Sequence, residues 1–206
     1  MLYKNDIANL ALGYLGSTQR VSDFDNETSG LANILRLNFQ GSLEDALQRH
    51  PWSSARGFKV LSLISNADVE GGWAFKYAKP SDALVVRQLD AQGNLKVEEA
   101  IYDDNLIRFD EIQDGSGYYI LCNVEEAEIE YTKNLSADSA FTQSFGKAVA
   151  AILAMDIAPS VISGSFAKVQ SVLEKNINTQ LSKAIANDLG RTPRRKDPNS
   201  PFVSCR

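Results

Sequence analysis

Histidine and cysteine are almost absent from this sequence: His50 is the only imidazole, and Cys122 and Cys205 are the only thiols. One imidazole and two distant thiols cannot fill the coordination sphere of a zinc, haem or iron–sulfur site. A disulfide framework is equally disfavoured, and both thiols are expected to be free in a reducing compartment. His50 lies in no motif that would make it the base of a serine or cysteine nucleophile. Pro51 and Trp52 follow it directly, which reads as a turn that closes a helix beside an anchoring indole. Long apolar runs are missing too. The longest, 148–155, is far below the ~20 residues of a bilayer crossing, and no basic-then-apolar leader opens the chain, so no membrane anchor is expected.

Phosphate-cradling loops are also lacking. Asp114, Gly115, Ser116 and Gly117 have neither the trailing helix nor the lysine that such a loop needs, and they read as a hairpin turn. Asp23, Asp25, Asn26 and Glu27 crudely suggest a calcium loop, but the central glycine and distal glutamate are not there. A turn followed by a Thr28 helix cap is expected instead. No catalytic, cofactor-binding or metal-binding residue is assigned on these grounds.

What is present is enough apolar material for a folded body, 44% of 206 residues, and an uneven charge. The net charge is −5, yet Arg191, Arg194, Arg195, Lys196 and Arg206 face only Asp197 in the final stretch. That stretch carries +4 and leaves −9 on the remainder. An acidic body is poorly suited to wrapping nucleic acid, because neutralising phosphates takes clustered Lys and Arg.

Ile7, Leu10, Ala11, Tyr14 and Leu15 recur at helical spacing and stop at Gly16. A second stripe runs through Leu31, Leu35, Phe39, Leu43, Ala46 and Leu47 as far as Pro51, and a third helix-like run holds Ala55, Phe58, Leu61 and Leu63. From Trp73 the pattern alternates, predicting strands at 73–78, 83–89, 95–102, 106–109, 118–122 and 127–131, with a turn at Gln92, Gly93 and Asn94. In the last of these, Ala127, Ile129 and Tyr131 oppose Glu126, Glu128 and Glu130, predicting a sheet with one wet face. Helical spacing returns after Asn134. Ser139 is the expected cap of a helix bearing Phe141, Phe145, Ala148, Val149, Ile152 and Leu153 up to Pro159, and a final helix carries Phe166, Val169, Leu173, Ile177, Leu181 and Ala184 up to Gly190.

The order predicts an α+β fold in which N- and C-terminal helices form one bundle, with an antiparallel β module inserted and an extended C-terminal tail. Its parts are an N-terminal helical part (1–70), the β module (71–134), a C-terminal helical part (135–190) and a basic tail (191–206).

Two chemistries remain to be weighed. Asp103, Asp104, Asp110, Glu111 and Asp114 lie in predicted successive sheet turns, where two carboxyls converging as acid and base would give a peptidoglycan-degrading glycosidase. The Glu98–Glu99 and Glu125–Glu126 pairs admit the same reading, against solvated turns. The tail can dock on an acidic protein groove, contact DNA phosphates as a nucleic-acid-binding module, or stay a solvated terminus. Pro193, Pro198 and Pro201 with the apolar Phe202 and Val203 favour docking.

One resemblance runs through the chain. Ala11-Leu12 and Leu15-Gly16, Leu47 through His50-Pro51-Trp52 to Ala55, and Trp73-Ala74-Phe75-Lys76-Tyr77 with Pro80 and Asp82 resemble the tail tubular protein A family of podovirus head-to-tail adaptors. Ile129-Glu130-Tyr131 and the alanine-rich stretch 148–158 match in order and spacing, so the likeness covers about residues 5–185. Ser53-Ser54 stands where an Asn-Phe pair is common in that family, and the tail matches only in character. The resemblance implies a structural connector in the virion tail, made in the host cytoplasm, and no enzyme. It implies a homo-oligomeric ring, expected to be a dodecamer, that joins the portal protein to the tail nozzle or tail tubular protein B, with tail fibres as further neighbours. Genomic DNA would pass through its channel during ejection without sequence-specific binding. Arg191, Arg194, Arg195, Lys196, Pro201 and Phe202 are the residues expected to engage the portal.

Overall fold

Helical spacing at the start of the chain becomes α1 (Lys4–Tyr14) in the computed structural model, which describes residues 1–66, 70–93, 107–162 and 166–190. α1 buries Ile7, Ala8, Ala11 and Leu12, and the chain leaves it through Gly16 at a left-handed φ of 72°. α2 (Gly30–Gln48) buries Leu35, Phe39, Leu43, Ala46 and Leu47, as its stripe predicts. Its cap is Ser29, not Thr28: the Ser29 hydroxyl accepts from Ala32 N at 3.2 Å. Arg36 accounts for the one-residue difference. Its guanidinium donates to the carbonyls of Phe24 (2.6 Å) and Glu27 (2.8 Å), so the preceding turn is held out of the helix.

α3 (Gln143–Val161) is capped by Thr142 rather than Ser139, with Phe145 N donating to the Thr142 hydroxyl at 3.4 Å. Phe141 cannot join the helix because it is extended against Leu2, the two residues exchanging backbone hydrogen bonds of 2.8 and 2.9 Å. Pro159 does not stop α3 either. It sits exposed in the last turn, where its ring removes one N–H from the ladder and the helix still reaches Val161. α4 (Phe166–Leu189) turns Leu173, Ile177, Leu181 and Ala184 inward and leaves its polar residues outside.

α1, α2 and α4 each pack against α3, whose residues 148–154 are all buried. The alanines permit this close approach. α3 is long and apolar enough, by length and composition, to span a membrane, a property it shares with helices enclosed on all sides in a bundle.

Between α2 and α3 the chain forms two antiparallel sheets. The run through Ala55, Phe58, Leu61 and Leu63 is not a third helix. A 3-10 turn over Ser53–Ala55 leads into β1 (Arg56–Val60) and β2 (Ser62–Ser65), so the β part begins well inside the stretch 1–70. Tertiary pairing overrides the weak helical spacing here, and Gly57 is itself a poor helix former. β3 (Phe75–Ala78), β4 (Ala83–Ala91), β6 (Gly117–Cys122) and β7 (Ala127–Lys133) fall close to the predicted strands, with Trp73 just ahead of β3. β5 is Phe109–Asp114, not 106–109, because the hairpin through Gly115 and Ser116 pairs it with β6 from Asp114↔Gly117 back to Phe109↔Cys122. The strand predicted at 95–102, Asn94 of the predicted turn and the Glu98–Glu99 pair lie outside the described residues.

The strand orders are β1-β7-β4 and β2-β3-β6-β5. Their facing sides enclose a second core of Leu61, Tyr77, Val86, Leu89, Ile120, Cys122, Ala127, Ile129 and Tyr131. The three-stranded sheet lies nearer the bundle, which Leu84 of β4 reaches. The expected wet face of β7 is only partly wet: Glu126 is exposed, whereas Glu130 and Thr132 are buried. Helix ends and arginines cover that side of the sheet.

Candidate functional site at the joint of helices and sheets

The residues expected to bind the portal, Arg191, Arg194, Arg195, Lys196, Pro201 and Phe202, lie outside the described residues. Just before them, however, the last turn of α4 is fastened to the end of α2 and the start of the sheets. The His50-Pro51-Trp52 turn is the centre of this joint. Trp52 is 2% exposed, its indole N–H donates to Ala46 O at 2.8 Å, and its ring stands edge-on to Phe145 (4.7 Å between centroids) and His50 (4.8 Å). Pro51 forces the helix to end, and the indole then folds the chain back against the helix it has just left.

Asp188 of α4 is the second part. Its carboxylate accepts from Ser53 N at 3.0 Å and from the Ser53 hydroxyl, and lies 3.3 Å from His50 Nε2. His50 and Ser53 therefore share one carboxylate and do not face each other as base and nucleophile. The arrangement ties two chain segments together.

Arg87 of β4 is the third. Its Nη2 donates to the carbonyls of Leu47 (3.1 Å), Gln48 (3.0 Å) and His50 (3.3 Å), and its Nε donates to the Thr132 hydroxyl at 2.9 Å. A cation on the last carbonyls of α2 also suits the negative end of that helix. Beside it, Arg56 Nε lies 2.9 Å from Glu130 Oε1. Burial pushes the Glu130 carboxyl up despite Arg56 and Arg87, and burial likewise pushes the Arg87 guanidinium down.

Of the acidic residues weighed for general acid–base work, the described ones on β5 are each engaged separately. Asp110, Glu111 and Asp114 lie along β5 rather than in turns, and each has its own partner. Asp110 accepts from the Trp73 indole at 3.1 Å, Glu111 pairs with Lys79, and Asp114 pairs with Lys76 at 2.8 Å. The bond from Lys76, and backbone N–H groups of the hairpin, hold Asp114 below the usual carboxylate range. That favours the ionised form, opposite to what a general acid requires. Asp103 and Asp104 lie outside the described residues, and Glu125 and Glu126 are exposed. Asp23 accepts from the backbone of Asp25 (3.0 Å) and Asn26 (3.1 Å) in a closed turn, and Asp25 pairs with Lys4 at 2.6 Å. Among the described residues no group of three or more His, Cys, Asp or Glu side chains is placed to hold a metal.

Sequence reasoning singles out the His-Pro-Trp turn but misses Arg87 and Asp188. For Asp188 a signal existed: a carboxylate in the last turn of a helix faces the negative end of the dipole, and keeping it there takes a compensating bond. One further surface is notable. Among the described residues β1 and β2 are each the edge strand of their sheet, and Phe58 (46%), Val60 (41%), Leu63 (49%) and Ile64 (54%) are exposed along them.

The joint is sensitive to acid in a defined direction. Burial lowers the His50 imidazole below its ordinary value of 6.5, a shift that Asp188 opposes. A base depressed in the folded state contributes stability that is present at higher pH and is lost as pH falls through its ionisation. The urea midpoint of the native protein should therefore drop between about pH 7.5 and about pH 5.5 by more than that of His50→Gln. Glu130 and Asp156, both raised by burial, act in the opposite sense in both proteins, so the difference isolates the imidazole. Identical pH profiles would remove His50 from the joint's energetics.

Scanned against protein-family models and against curated proteins, the chain matches none.

Proposed function

We propose that the chain is a structural subunit of a multimeric ring, a head-to-tail adaptor of the kind that joins portal to nozzle in short-tailed bacteriophages. The observation that supports this reading is the apolar edge of β1 and β2, on which no further strand pairs among the described residues. A strand edge with Phe58, Val60, Leu63 and Ile64 exposed is a template for another chain, and the one charged side chain exposed along it, Lys59, blunts it only in part. The residues behind the family resemblance support it as well. Leu47, His50, Pro51, Trp52 and Ala55 fix how the bundle meets the sheets, and 148–158 form the helix on which the bundle is built. These are roles in holding a shape, and the subunit acts by binding neighbours, with no bond made or broken.

On this reading the basic segment after Gly190 engages the portal, and it leaves the body next to the Asp188 fastening. Native mass spectrometry and negative-stain imaging, with and without a portal ring, test the proposal. Rings of the full chain that seat on portals are expected, and a protein truncated after Gly190 should keep its far-UV circular dichroism and lose portal attachment. A protein that stays solitary and ignores portal rings would overturn the reading.

A further inference from the structure

Away from the joint, the helical part holds a second feature that does not depend on the adaptor reading. An open cavity of about 500 Å³ lies between the end of α1, the first turns of α3 and the last turns of α4. Lys147 of α3 and Lys183 of α4 are the two cationic residues that line it. Gln143, Gln180 and Asn187 add carboxamides, and Tyr14 and Ser144 add hydroxyls. Among the described lining residues there is no carboxylate. Neither lysine forms an ion pair among the described residues, whereas Lys4, Lys76 and Lys79 each sit on an acid.

Two uncompensated cations at one cavity are unexpected in a body whose charge is otherwise strongly negative. An anion in the cavity would be attracted by both. Burial pushes the Tyr14 phenol up, so at neutral pH its hydroxyl remains a donor. Lysine ammoniums, carboxamide N–H groups and hydroxyls arriving from three helices suit a tetrahedral anion with several terminal oxygens. A planar carboxylate is better served by the bidentate fork of arginine, which the lining lacks. The volume exceeds that of a bare phosphate and falls within the ~300–1,000 Å³ typical of small-molecule sites. A second, shallower hollow along α4 shares Lys183, but Glu174 lines it beside Lys175, and that carboxylate makes it a poorer place for an anion.

We propose that this cavity binds a phosphate group, with Lys147 and Lys183 as its charged contacts. The phosphate can come from a small ester or from a nucleic-acid backbone, and the test separates the two. Isothermal titration of the full chain uses inorganic phosphate and AMP in one arm and a short single-stranded oligonucleotide in the other. Each is repeated with Lys147→Gln/Lys183→Gln and with Arg108→Gln, an exposed cation just ahead of β5 that controls for loss of charge. The double variant should bind about tenfold more weakly or worse, while Arg108→Gln binds as the native protein does. Amide resonances of Gln143 and Ser144 should shift on saturation and stay put in the double variant. Binding of phosphate and AMP supports a small ester, and binding of the oligonucleotide alone, weakened by salt, supports a backbone phosphate. No binding in either arm, or binding that survives the double variant unchanged, overturns the proposal.

Discussion

Trp52→Ala is expected to remove about 3–5 kcal/mol of stability, the range for truncating a large buried aromatic, and to lower the melting temperature by roughly 10 °C. The indole is buried against Phe145 of α3 and His50, and its N–H satisfies Ala46 O in the last turns of α2. Its loss opens a cavity where α2, α3 and the entry to the sheets meet, and leaves a buried carbonyl without its donor. Trp52→Phe keeps most of the ring and forfeits mainly the hydrogen bond, so a cost of about 1 kcal/mol beyond the lost area is expected. Urea denaturation followed by circular dichroism measures both. A Trp52→Ala protein as stable as the native one would show that the turn is not packed as described.

Gly57→Val should be the next most damaging change, for a reason unrelated to backbone freedom. A Cβ at Gly57 would lie 2.7 Å from Tyr131 Cζ, 2.9 Å from Tyr131 Cε1 and 2.9 Å from Lys133 Cε. The tyrosine cannot move aside easily, because its ring is 4% exposed in the second core and its hydroxyl donates to Asp82 at 3.1 Å. Overpacking of this kind costs about 1–3 kcal/mol, at the upper end for a branched side chain. A double-mutant cycle tests the cause. Gly57→Ala should be clearly destabilising in the native background and nearly neutral beside Tyr131→Ala, and equal costs in both would exclude the ring as the obstacle.

The same glycine shows where sequence reading stops. Phe58, Leu61 and Leu63 offer an apolar rhythm near enough to a helical one to suggest a third helix, and nothing local says that Tyr131 lies across Gly57. Only the register Gly57↔Tyr131, joining residues far apart in the chain, makes the segment a strand. β5 departs from its predicted bounds for a related reason. Asp110 and Glu111 are poor strand formers, and they are strand residues because β6 pairs with them and Trp73 and Lys79 receive their charges. The long helices, by contrast, were legible. Their stripes are sustained over many residues, and one apolar face facing α3 is all that the pattern has to encode. The bundle built from both ends of the chain, with antiparallel sheet between, follows from the order of those patterns alone.

The candidate site was legible in part. His50, Pro51 and Trp52 announce a turn, since proline ends the helix and an indole so placed needs an anchor. Arg87 and Asp188 come to that turn from 37 and 138 residues away, a convergence that spacing cannot convey. The acidic residues of β5 misled in the other direction: carboxylates close in sequence suggest a working pair, and a strand sends neighbours to opposite faces.

The arrangement of the bundle around α3 has a consequence for how the protein comes into being on the ribosome. α1 and α2 emerge first, yet the surface both must cover belongs to a helix that starts only at Gln143. Until then the surface they cover on α3 does not exist, while all the described strands, β1 to β7, have already been synthesised. Nascent chains should therefore acquire the β part before the bundle, and the interval during which Leu35, Phe39 and Leu43 stay uncovered is when a chaperone would be needed most.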